Sequence, residues 1–150
     1  MHGLHLTADL RDCPVHLPPM TDPAALHTLC LAAVTAAGLQ PVGELFHRFK
    51  AAAEAPADAP AGSAVDTPVG VTGVVLLAES HLAVHTWPEI AGVTLDVYVC
   101  NMGADNTAKA HALLATLLAA FEPGRVEQHA LMRGEHTPQR PLPPAVLGRP

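Results

Sequence analysis

At 150 residues the chain is long enough to bury one real core and short for two, so a single compact unit is expected. Apolar residues make up 49% of it and charged residues 15%, a balance that excludes a disordered chain even though alanine inflates the apolar share. The net charge of −6, with Lys and Arg scattered, excludes a phosphate-neutralising surface, so no nucleic-acid partner is expected.

No apolar stretch is long enough to span a bilayer, and the opening residues Met1 to His5 lack the basic and apolar regions of a signal peptide. A cytoplasmic protein without a membrane partner is the expectation. Cys13, Cys30 and Cys100 are odd in number and far apart, which points to reduced thiols rather than disulfides or a zinc site. His81 and His85 are four apart but lie in a strand-like pattern without the glutamate of a helical zinc motif, so no metal is expected.

From Gly3 to Arg11, Leu4, Leu6, Ala8 and Leu10 alternate with mostly polar neighbours, the period of a half-buried strand. Asp22 can cap a helix with Pro23 at its first position; Leu26, Leu29, Cys30, Ala33, Val34 and Ala37 form its apolar face, and Gly38 ends it. Gln40 to Phe49 reads as a second strand. Lys50 to Pro68, made largely of Ala, Pro, Gly and Asp, reads as a mobile loop.

Val69 to Ala78 is a nearly continuous valine-rich run, which predicts a central strand buried on both faces. After Glu79 and Ser80, Leu82 and Val84 share one strand face while His81, Ala83, His85 and Trp87 share the other, until Pro88 stops the pattern. Gly92 to Cys100 alternates again, with Thr94, Asp96, Tyr98 and Cys100 on the more polar side. Asp105 or Asn106 can cap a second helix that points Ala110, Leu113, Leu114, Leu117, Leu118 and Phe121 inward and has Gly124 near its end. Arg125 to Met132 reads as a last strand, and Arg133 to Pro150 as a flexible, proline-rich tail.

This order predicts an α+β fold with two helices on one face of a largely antiparallel sheet. The other face then needs a cover, and two sheets stacked across a homodimer would provide it.

The chemistry concentrates between Glu79 and Cys100. Glu79, Ser80, His85 and Cys100 form a polar quartet within strands otherwise rich in Val, Leu and Ala, and burying such groups costs free energy unless they are paired or used. Singly, each has an ordinary structural reading: a turn hydroxyl, a solvated strand end, a hydrogen-bonded core histidine and a small buried thiol. Together they resemble a family. The run Glu79-Ser80-His81-Leu82-Ala83-Val84-His85-Thr86-Trp87-Pro88-Glu89, followed by Asp96 to Cys100, resembles prokaryotic S-adenosylmethionine decarboxylase. The likeness extends to Gly3 to Leu10, Phe46 to Phe49 and Gly70 to Val75; the 50–68 loop and the tail fall outside it, leaving 1–132 as the matching domain.

The resemblance implies a chain that cuts itself between Glu79 and Ser80. The Ser80 hydroxyl would attack the Glu79 carbonyl and form an ester, β-elimination assisted by His85 would then break the chain, and hydrolysis of the resulting dehydroalanine, with loss of ammonia, would leave a pyruvoyl group in place of Ser80. Thr72 stands where relatives usually have a processing serine. The pyruvoyl ketone would form a Schiff base with the substrate amine and take up electrons as carbon dioxide leaves, and Cys100 would return a proton. Phe49 matches the position that stacks on adenine, and Glu89 the carboxylate that accepts the ribose hydroxyls. The implied product is the aminopropyl donor of spermidine synthesis, made by a homodimer of processed protomers. The same pyruvoyl machinery would also suit ornithine or arginine, and an unprocessed, non-catalytic binding subunit is the reading from outside enzymology.

Overall fold

In the computed structural model, which describes residues 2–49 and 69–134, the alternating segments form six strands and the 3.6-period segments two helices. They run β1 (Gly3–Arg11), α1 (Pro23–Ala36), β2 (Pro41–Arg48), β3 (Val71–Leu77), β4 (Ser80–Trp87), β5 (Gly92–Cys100), α2 (Thr107–Phe121) and β6 (Arg125–Arg133). One sheet holds all six in the order β2-β3-β4-β5-β1-β6, and each pairing is antiparallel. The expected 50–68 loop lies outside the described residues, as does the expected tail beyond residue 134.

Local chemistry sets the helix ends. Asp22 Oδ1 accepts from the Ala24 amide, Pro23 opens α1, and Gly38 takes a left-handed φ of 71° just after it. At α2 the Asp105 carboxylate accepts from the Thr107 amide at 2.9 Å, while Asn106, at the cap position, turns its side chain elsewhere. The left-handed residue after α2 is Glu122, φ 47°, with Gly124 two residues further on.

Both helices pack on one sheet face. Leu26 and Val34 of α1 and Leu113, Leu117 and Phe121 of α2 close over Leu10, Val75, Leu82, Val84 and Val97, all fully buried. Burying each such side chain stabilises the fold by about 1.5–3 kcal/mol, and truncating Phe121 to Ala would cost about 3–5 kcal/mol.

The apolar run of β3 is buried on one face only, contrary to the expectation from its composition. Val71, Val75 and Leu77 enter the core, but Leu76 is 51% exposed because the helices leave the opposite face uncovered. On that open face one row crosses the sheet from Leu76 through His81, Tyr98 and His5 to Leu131. Leu131 is 60% exposed and Leu45, opposite Val74, 68% exposed. Apolar side chains set among histidines and carboxylates on one open face suit a protein partner better than bulk water.

Candidate active site

A two-residue turn, Ala78 and Glu79, joins β3 to β4, and Leu77 pairs with Ser80 across it. The peptide between Glu79 and Ser80 is therefore at the tip of a tight hairpin. Glu79 is exposed and Ser80 half-buried. The Ser80 Oγ accepts a hydrogen bond from the Cys100 amide at 3.0 Å, tying the hairpin tip to the end of β5. Asn106 Nδ2 donates to the Cys100 carbonyl at 2.8 Å, so the Cys100 backbone is held on both sides. These residues line a cavity of about 360 Å³ whose walls include Leu39, Glu79, Ser80, Cys100, Asn106 and Lys109.

A second cluster lies at the other end of β4. Register places Thr72 opposite His85, and Thr72 Oγ1 and His85 Nδ1 are hydrogen-bonded at 2.6 Å. The Phe49 and Trp87 rings lie 5.3 Å apart, the His85 and Trp87 rings 6.5 Å apart, and Glu89 is exposed in the short 3-10 turn Pro88–Ile90 that follows. Gly70 makes this corner possible: a Cβ there would stand 1.8 Å from the Thr86 carbonyl oxygen. That approach lets the Gly70 carbonyl accept from the Phe49 amide at 2.9 Å. Thr86 fastens the corner from below, its Oγ1 donating to the Met20 carbonyl and accepting from the Val71 amide, each at 2.8 Å.

The residues singled out from sequence thus fall into two groups. Glu79, Ser80 and Cys100 meet at the hairpin end; Thr72, His85, Phe49 and Glu89 gather at the far end. Ser80 and His85 are five residues apart on one strand, about 17 Å at 3.3 Å per residue, and alternation turns them to opposite faces. Within one protomer His85 does not reach the Ser80 α-proton.

A third cluster escaped sequence reading because three strands assemble it. His5 Nε2 donates to Asp96 Oδ1 at 2.7 Å, and His81 Nε2 lies 3.4 Å from the same oxygen. One ligand atom from each lies within 4.8 Å of the others. The 2.7 Å contact is a hydrogen bond, shorter than the separation of about 3.3 Å kept by two ligands of one tetrahedral zinc. Beside it the Arg133 guanidinium stacks over Tyr98 at 5.0 Å.

Cys13 and Cys30 are buried away from this chemistry. Burial pushes the Cys30 thiol up to about 12, and burial with the nearby Asp12 charge raises that of Cys13, so both stay neutral thiols near pH 7. Asn106 and Lys109 were visible in the sequence only as helix-terminus residues; nothing local to them signals the cavity they line.

Known proteins resemble this chain in sequence and fold. The sequence profile of the S-adenosylmethionine decarboxylase family matches residues 4–134. An S-adenosylmethionine decarboxylase proenzyme of Persephonella marina is 33% identical over 132 residues, covering 88% of this chain and 82% of that one. The proenzyme of the same name from Aquifex aeolicus is 31% identical, with 88% and 81% covered. The crystal structure of the adenosylmethionine decarboxylase from Aquifex aeolicus superposes with a TM-score of 0.70 at 28% identity, covering 93% of this chain and 97% of that chain. With most of its length matched by the family profile, by relatives and by a solved structure, the chain belongs to the S-adenosylmethionine decarboxylase family.

Proposed function

We propose that this protein cuts its own chain between Glu79 and Ser80 and then decarboxylates S-adenosylmethionine. The observation that carries this reading is the Ser80 hydroxyl at the tip of a two-residue turn, sharing one cavity with Cys100. The relatives' common name favours S-adenosylmethionine over ornithine or arginine as substrate.

The topology suits a chain that is cut at this point. Cleavage would assign β1, β2 and β3 to one fragment and β4, β5 and β6 to the other, yet β1 lies between β5 and β6, and β3 pairs with β4. The two fragments would stay interlocked by backbone ladders. A pyruvoyl group replacing Ser80 fits this place: it adds no bulk beyond the serine and opens onto the cavity.

The Ser80 oxygen attacks the Glu79 carbonyl carbon, and the Ser80 α-proton must then be removed. His85 is suited to remove it. With its Nδ1–H donating to the Thr72 hydroxyl oxygen, Nε2 keeps a lone pair for the proton. We infer that this His85 comes from a second copy of the chain, because five residues of β4 separate it from the Ser80 of its own chain. Stacking the open sheet faces of two copies with strand directions reversed would bring the end of the sheet that carries Thr72, His85, Phe49 and Glu89 in one protomer over the end that carries Ser80 and Cys100 in the other. A two-fold axis makes two such sites and covers Leu45, Leu76 and Leu131.

When present, the pyruvoyl group supplies the electron sink for the loss of carbon dioxide. The chain's own residues do the rest. Cys100 holds a proton for the substrate α-carbon, Phe49 with Trp87 offers aromatic faces to adenine, and Glu89 accepts from the ribose hydroxyls. Intact mass of the purified protein tests the reading, together with release of labelled carbon dioxide from carboxyl-labelled S-adenosylmethionine. The expected masses are those of residues 1–79 and of 80–150 with a pyruvoyl N-terminus. A full-length mass with an unmodified Ser80 and no carbon dioxide release would refute it.

A further inference from the structure

We infer that Lys109 is the cation that helps the Glu79 carboxylate leave during self-cleavage, an inference that rests on the self-cleavage reading above. Lys109 is in the first turn of α2, beside the fully buried Ala110, and is half-buried along the wall of the cavity that also holds Glu79, Ser80 and Cys100. Among the described residues it is the one basic side chain lining that cavity, and it has no ion-pair partner. Lysine suits such a wall because its aliphatic stem covers apolar surface while the ammonium stays at the opening.

The bond changes state what charge is needed there. In the ester, the Glu79 acyl carbon is bonded to Ser80 Oγ. Removal of the Ser80 α-proton by the base, His85 of a second copy, turns the C–H electron pair into the Cα=Cβ double bond. The Cβ–Oγ bond breaks, and its electron pair leaves with the oxygen as the new α-carboxylate of Glu79. Glu79 already bears a side-chain carboxylate, so elimination places a second negative charge on one residue at the cavity rim. An ammonium in that cavity interacts weakly with the neutral ester and strongly with the departing carboxylate, which is the condition for lowering a barrier. The same ammonium fixed on a substrate carboxylate would stabilise the charge that decarboxylation has to disperse, so physical chemistry favours the cleavage role.

The test follows freshly translated wild-type, Lys109→Met and Lys109→Arg chains by intact mass over time, with and without hydroxylamine, which cuts an ester and spares an amide. Lys109→Met should form fragments about tenfold or more slowly than wild type, and its full-length population should become hydroxylamine-cleavable as ester accumulates before elimination. Lys109→Arg, which keeps the charge, should restore most of the rate, an outcome that loss of a merely structural contact does not predict. Cleavage of Lys109→Met at the wild-type rate overturns the proposal. So does slow cleavage without a hydroxylamine-sensitive ester, or failure of Arg to restore the rate in a chain with an unchanged thermal midpoint. In each of these cases self-cleavage itself stands if the wild type is cut, whereas a wild-type chain that never cleaves sinks both readings.

Discussion

Whether His85 acts on its own chain or on a second copy can be decided by pairing two inactive variants. Five residues of extended strand separate Ser80 from His85, about 17 Å, whereas a base must come within about 3 Å of the proton it takes. Ser80→Ala removes the nucleophile but retains His85; His85→Ala removes the base but retains Ser80. Alone, each should stay uncut. Co-expressed in equal amounts, random two-fold pairing makes about half the dimers mixed, and each mixed dimer has one complete site, with Ser80 from one variant and His85 from the other. About half of the His85→Ala chains should then be cleaved, and nearly all of them in mixed dimers isolated by two different affinity tags. The assay is intact mass on the tagged chains. Uncut His85→Ala chains in isolated mixed dimers, under conditions where the wild type is cleaved, would refute the two-copy site.

Other perturbations separate the remaining roles. Cys100→Ala should still yield both fragments but lose most carbon dioxide release or divert into inactivation by misplaced protonation, seen as a changed mass of the pyruvoyl fragment. Phe49→Ala and Glu89→Gln should raise KM for S-adenosylmethionine and leave cleavage intact, so unchanged kcat/KM in both would remove them from the adenosine site. Thr86→Val leaves the buried Val71 amide and Met20 carbonyl without their hydroxyl partner and should lower unfolding free energy by about 1–3 kcal/mol in urea titration. Because β1 is held between β5 and β6, the two fragments should co-elute on gel filtration without denaturant; separation there would contradict the interlocked sheet.

The sequence by itself determined what is local or periodic. Alternation in Gly3 to Arg11 and Gly92 to Cys100 marks strands because successive side chains must face opposite ways, and Asp22 with Gly38 marks α1 because those ends need an acceptor and a left-handed residue. The Glu79 to Glu89 run was legible as a family motif. Tertiary structure alone decided what depends on pairing between distant strands and on what covers them. The valine run of β3 looked fully buried, since composition records how apolar a segment is and not whether both faces meet protein. His5, His81 and Asp96 meet only through the registers of β1, β4 and β5, and Lys109 faces the cavity only because α2 begins beside the end of β5. Ser80 and His85 are close in the motif and far apart in space, since a strand advances over 3 Å with every residue; sequence proximity on an extended chain is therefore distance.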